Sequence, residues 1–204
     1  MIKKYLILFC LLVSFNGLAF GQFNFGIKGG LNLTNTTSIV RDSKMKAGLN
    51  AGLLSELKIS KKFIFRPELL YSLKGSKTPA TQFDDPGNTH FHYINLPLLL
   101  GFQPINKLTL LAGPELGYLM NATSGFDGKS FDTTDHFEKP DIGAAFGLNY
   151  LLNSKFSAEV RYIYGFDGLI KAIDRDNTGQ AVGESKSGAN RVFQFGINYY
   201  LIRR

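Results

Sequence analysis

The sequence predicts an all-β fold, an eight-stranded antiparallel up-and-down transmembrane β-barrel with short periplasmic turns and long extracellular loops. Three observations predict it. Eight segments after residue 22 alternate apolar and polar residues with period two. The connections between them are short and long in turn, and the face opposite the apolar one is rich in glycine and in charges of both signs.

The chain opens with Lys3 and Lys4, an apolar run from Tyr5 to Phe15, and Ala19-Phe20-Gly21 before Gln22. That is the form of a secretory signal peptide, so residues 1–21 are expected to be removed and residues 22–204 to form one outer-membrane barrel domain. The run is too short for a membrane-spanning helix, which needs about 20 apolar residues. The single cysteine, Cys10, lies inside it, so the exported chain is expected to carry no thiol chemistry, disulfide or cysteine-based zinc site. Without Lys3 and Lys4, 21 of the 23 basic residues face 16 acidic ones, a formal charge of +5 instead of +7. No basic run with interleaved aromatics occurs, so a nucleic-acid partner is not expected. Mean hydropathy is near zero, as it must be for strands that alternate lipid-facing and lumen-facing residues.

Segment one, Phe23 to Leu33, sets Phe23, Phe25, Ile27, Leu31 and Leu33 against Asn24, Gly26, Lys28, Gly30 and Asn32. Segment two, Met45 to Leu57, opposes Leu49, Ala51 and Leu53 to Lys46, Asn50 and Glu56. Segment three, Phe63 to Leu73, places Arg66, Glu68 and Ser72 on the polar face with two apolar exceptions, Ile64 and Leu70. Segment four, Phe91 to Phe102, is less regular, and Pro97, which lacks a ladder donor, predicts a local bulge. Segment five runs from Leu108 to Asn121, with Thr109, Glu115 and Asn121 polar; segment six, Asp141 to Tyr150, is similarly Gly-rich on its polar side. Segment seven, Phe156 to Gly165, opposes Glu159 and Arg161 to Val160 and Tyr162, and segment eight ends the series with Phe193, Phe195, Ile197, Tyr199 and Leu201.

The connections after segments two, four and six are short, while the loops at 34–44, 75–90, 122–137 and 166–189 are long. Short turns face the periplasm in outer-membrane barrels. A soluble lipocalin-like barrel would reverse the faces, with apolar residues lining a cavity; glycine on the charged face and aromatics near strand ends favour the membrane form.

Arg66-Pro67-Glu68-Leu69-Leu70-Tyr71-Ser72, Tyr93-Ile94-Asn95-Leu96-Pro97-Leu98-Leu99-Leu100, Gly113-Pro114-Glu115-Leu116-Gly117-Tyr118-Leu119 and Arg161-Tyr162-Ile163-Tyr164-Gly165, in that order, resemble the PorT-like outer-membrane β-barrel family common in Bacteroidetes. The resemblance covers essentially all of residues 22–204. It implies an eight-stranded, porin-family barrel whose namesake takes part in protein secretion, a role that does not transfer on strand motifs alone. Asn95 departs from the acidic residue that many relatives carry. The last strand, with Gln194, Gly196, Tyr199 and Leu201, resembles the C-terminal signal read by the barrel-assembly machinery, although Ile202-Arg203-Arg204 follows it.

An eight-stranded barrel has room inside for side chains and little more. Opposite charges on its polar face should therefore pair, and Arg66, Glu68, Glu115, Glu159 and Arg161 are the expected lumen network. A nucleophile with a matching base and a G-x-S-x-G motif are both missing from the sequence, so no enzyme and no cofactor are expected. His90 and His92 share a face, but His136 lies in another loop, too few ligands for a metal site. Asp174-Arg175-Asp176-Asn177-Thr178-Gly179 imitates a calcium loop, with Glu184 one place early and Ser185 where a bidentate ligand belongs. The repeated Gly-Phe-Asp-Gly at 125–128 and 165–168 reads as turn chemistry. The expected partners are outer-membrane lipid, the assembly machinery, and a protein or surface ligand for the long loops. A narrow porin and a secretion component are the alternatives.

Overall fold

In the computed structural model, residues 23–37, 44–78, 87–126, 129–166, 168, 170–175 and 180–203 are described. The signal segment and residues 176–179 of the calcium-like loop lie outside them, as do Asp127, Gly128 and Asp167 of the repeated turn motif.

Each alternating segment forms a strand: β1 (Phe23–Thr37), β2 (Lys46–Lys58), β3 (Phe63–Thr78), β4 (Gly87–Ile105) and β5 (Leu108–Phe126) come first. The short β6 (Lys129–Asp132) and a 3-10 turn (Thr134–His136) follow, then β7 (Pro140–Leu151), β8 (Phe156–Gly165), β9 (Ile170–Arg175), β10 (Ala181–Ser187) and β11 (Ala189–Ile202). Eight of these strands close into a barrel in the order β1-β2-β3-β4-β5-β7-β8-β11, every neighbour antiparallel and β11 pairing back onto β1. Closure leaves no unpaired edge, which a strand in hydrocarbon could not tolerate.

The two faces sort as the period-two pattern requires. Lys28, Asn32, Asn50, Arg66, Glu68, Ser72, Glu159, Arg161, Gln194 and Asn198 are buried inside, while Leu31, Leu49, Leu100, Ile142, Phe146 and Phe195 are exposed on the outside. This excludes the lipocalin-like arrangement, because a continuous exposed apolar belt belongs to a lipid-facing wall. Aromatic residues ring both margins of the belt. The tilted rings of Phe63 and Phe102 meet at 5.3 Å and those of Phe156 and Tyr199 at 4.9 Å near the short turns, and Tyr71, Tyr118 and Tyr164 stand toward the long loops.

Two expectations are corrected. The ladder between β3 and β4 passes from Pro67 opposite Leu98 to Leu70 opposite Asn95 without changing register, so Pro97 carries no bulge. A slip occurs instead between β4 and β5, where His92 pairs with Asn121 but Tyr93 pairs with Leu119, leaving Met120 as the extra residue; a second lies between Phe102 and Ile105 near the short turn. One inserted residue reverses the facing of those beyond it. Asn121 is thereby turned out of the lumen and binds Asp132 and Thr134 of the adjoining hairpin, while Ala122 takes the inward place.

The long connections are also shorter than expected. β1 continues to Thr37, β3 to Thr78 and β5 to Phe126, β4 begins at Gly87, β6 folds back on β5, and β9 and β10 pair as a separate hairpin. Polar sequence beyond the membrane belt still alternates and still pairs, since the ladder satisfies its backbone N–H and C=O groups there too, at a smaller net gain than in lipid.

Candidate functional site

The two cross-lumen ion pairs at the heart of the barrel come from residue order along strands that run the same way. β3 and β8 both rise from the short-turn end, β3 presenting Arg66 then Glu68 and β8 presenting Glu159 then Arg161. Inverted order on parallel-running, non-adjacent strands sets each cation against a carboxylate across the lumen. Arg66 Nη2 donates to Glu159 Oε2 at 2.8 Å and Arg161 Nη2 to Glu68 Oε1 at 2.7 Å.

Neighbours along each strand close the set, with Arg66 Nε 2.9 Å from Glu68 Oε1 and Arg161 Nη2 2.6 Å from Glu159 Oε1. Lys28 of β1 donates to Glu159 at 2.7 Å and to Glu68 at 3.4 Å. Glu56 of β2 lies 3.6 Å from Arg66 and accepts bonds from Asn24 and Tyr200, each at 2.9 Å. Three cations and three carboxylates thus share this central cluster in balance, which is the condition under which buried charge is tolerable.

Of the five residues expected to form one network, Arg66, Glu68, Glu159 and Arg161 come together. Glu115 does not. It joins a second cluster nearer the long loops, where it accepts from Asn95 Nδ2 at 2.6 Å and from Lys74 Nζ at 3.4 Å. Lys74 also reaches Asp141 at 3.4 Å, and Asn190 donates to Asp141 at 2.8 Å. Asn95 is a neutral donor here; an acidic residue in its place would set a third carboxylate around one lysine.

Lys28, Glu56 and Lys74 join these clusters beyond the five expected residues. Lys28 and Glu56 sat on the polar face among other candidates, and Lys74 fell one residue past the expected end of segment three, although it continues the even-numbered inward series of Arg66, Glu68 and Ser72.

Between these clusters the lumen is filled. Asn32 accepts from Asn50 at 2.9 Å and Gln194 at 3.1 Å and donates to Ser72 at 2.8 Å. Ile64, Leu99, Leu111, Ala145, Ile163 and Val192 form an apolar cluster along the wall, which accounts for the apolar exception at Ile64. Near the long loops Phe91, Tyr93, Leu119 and Ala122 pack together under Phe137, whose ring meets Phe91 edge-on at 4.8 Å. At the opposite end a polar vestibule of about 770 Å³ opens between Asn24, Glu56, Gln103 and Arg203.

In the C-terminal segment Gln194 and Gly196 face inward and Tyr199 and Leu201 outward. His92 bonds Tyr71 at 2.5 Å, and His136 stands apart on the 3-10 turn. Among the described residues no group of three or more histidine, cysteine or acidic side chains could hold a metal.

Residues 14–171 match the family described as outer membrane protein beta-barrel domain. No curated protein matches the sequence. Among solved structures, Neisserial surface protein A superposes with a TM-score of 0.56 at 12% identity, over 86% of this chain and 96% of that one. The outer membrane protein OprG from Pseudomonas aeruginosa gives 0.49 at 18% identity over 88% and 96%. Ail, the attachment invasion locus protein of Yersinia pestis, gives 0.46 at 13% identity over 88% and 99%. At these identities the likeness is one of fold.

Proposed function

This chain belongs to the outer membrane protein beta-barrel domain family, and within it we propose a non-enzymatic, non-conducting barrel that holds its long-loop end out as an interaction surface. The observation that carries this reading is the filled lumen. Lys28, Arg66, Glu68, Glu159 and Arg161 are buried and mutually bonded across the bore, and the apolar clusters occupy the space above and beside them. Beyond the belt the long-loop end carries β6, the 3-10 turn and the β9–β10 hairpin, built structure of the kind that specificity uses on a rigid scaffold.

Planar-bilayer recording of the folded protein tests the lumen. No steady channel is expected, and a reproducible unit conductance would sink the plugged-lumen reading in favour of a narrow porin, for which the polar vestibule is the one supporting feature. Replacing residues 166–189 by a two-residue turn tests the loops. The barrel should still form, and any surface attachment of cells expressing it should be lost.

A role in protein secretion is the second reading, favoured by the strand motifs that resemble the PorT-like group. Unchanged export of secreted proteins in a deletion strain would remove it.

A further inference from the structure

From residue 22 onward the charges divide unevenly along the barrel. The lumen holds five cations, Lys28, Lys46, Arg66, Lys74 and Arg161, against five carboxylates, Glu56, Glu68, Glu115, Asp141 and Glu159. The long connections and the strand ends that lead into them carry nine basic and eleven acidic residues in the sequence. The short-turn end carries Lys58, Lys61, Lys62, Lys107, Lys155 and Arg203, with Arg204 following in sequence, and no acidic residue on its rim. The whole positive excess of the barrel therefore sits at one end.

Lys58, Lys61, Lys62, Lys107, Lys155 and Arg203 are exposed and form a ring. Lys62, Lys107 and Lys155 each stand immediately before a rising strand, β3, β5 and β8. The backbone carbonyl of each accepts a bond at 2.8 Å from the next barrel strand or its end: Gln103 N for Lys62, Leu151 N for Lys107, Tyr200 N for Lys155. Register thus fixes the three lysines at equivalent positions around the circumference. Each is followed directly by a residue of the outer face, Phe63, Leu108 or Phe156. Arg203 is held among them, donating to the carbonyls of Asn153 at 3.3 Å and Ser154 at 3.4 Å. Glu56, the nearest carboxylate, is turned inward and engaged by Asn24, Tyr200 and Arg66.

We infer that this ring is a collar for anionic phospholipid headgroups of the periplasmic leaflet. A protein partner would be met by one patch; a cationic circle continuous with an apolar belt fits a sheet of phosphates whose acyl chains pack on that belt. Lysine stems suit the position, since they lie along apolar surface while the ammonium reaches the headgroup level. The long-loop end, near charge balance, offers no such continuous excess.

The test is lipid selectivity around the folded protein in phosphatidylcholine nanodiscs, read by electron spin resonance with trace spin-labelled phosphatidylglycerol or phosphatidylcholine. The motionally restricted fraction should favour phosphatidylglycerol about five-fold at low salt, given the attraction of each basic residue to an anionic surface. It should fall to parity at about 1 M salt, where screening acts within about 3 Å. The variant K58Q/K62Q/K107Q/K155Q should lose the preference while remaining heat-modifiable on a gel, and K77Q/K129Q at the other end should keep it. Equal partitioning of the two lipids around the parent protein, or a preference that survives both high salt and the four substitutions, overturns the collar and leaves that rim to an acidic protein or to solvent. The salt titration needs no variant, so a folding defect in the fourfold mutant leaves the inference testable.

Discussion

Replacing Glu159 by glutamine removes one of the three carboxylates that balance Lys28, Arg66 and Arg161, while keeping nearly the same volume. Glu159 lies within 2.6–2.8 Å of all three cations and also accepts from Asn198 at 3.3 Å. The substitution leaves an uncompensated buried positive charge. Breaking a buried pair in this way costs about 3–5 kcal/mol. With a urea dependence of about 2 kcal/mol per molar, the unfolding midpoint should fall by about 2 M. The chain has no tryptophan, so unfolding from lipid vesicles is best followed by far-ultraviolet circular dichroism together with gel mobility. The double variant E159Q/R161Q restores balance, leaving Lys28 and Arg66 with Glu56 and Glu68, and should lose much less than the sum of its parts. A single-variant midpoint within about 0.3 M of the parent, beyond the scatter of such extrapolations, would refute the idea that charge balance holds the lumen together.

Other consequences can be checked with the same folding assays. A Cβ at Gly30 would collide with the carbonyl oxygen of Phe195 on the neighbouring strand, so Gly30→Leu should abolish the heat-modifiable form, whereas Gly29→Ala, with nothing near its Cβ position, should not. Phe146 is 55% exposed at the centre of the outward series from Ile142 to Tyr150; Phe146→Arg should destabilise the barrel in lipid by about 2–4 kcal/mol, measured by urea titration. Asp132 accepts bonds from the backbone N and hydroxyl of Thr134, which hold its carboxyl below the usual aspartate range. The turn it caps should keep this support above the ordinary aspartate pKa and lose it as pH falls through the depressed value, and a carboxyl titration by NMR with a midpoint at or above the ordinary value would contradict that.

Much of this architecture could be read from the sequence because it is written in the simplest code a chain has. Period two assigns a face to each residue, eight repeats fix the strand number, and the alternation of short and long connections fixes which end is which. Arg66, Glu68, Glu159 and Arg161 could be nominated as lumen residues on parity alone. Parity also misled where it was broken: one extra residue at Met120 turned Asn121 outward, and nothing in the local sequence marks that slip, whereas the proline that seemed to mark one passes in register.

What the sequence determined by itself, then, is the alternation, the topology and the identity of the charges available to the interior. The tertiary structure placed the charged face inside, as expected, and it alone decided which cation met which carboxylate. Those choices depend on closure and on the stagger of strands distant in the chain. Only when β3 and β8 rise on opposite sides of one bore does the reversed order of Arg66-Glu68 and Glu159-Arg161 become complementarity, while Glu115, on the same face by parity, is carried away to Lys74. The physical reason is that hydrogen-bond register transmits height around a barrel, and pairing between buried charges is decided by height.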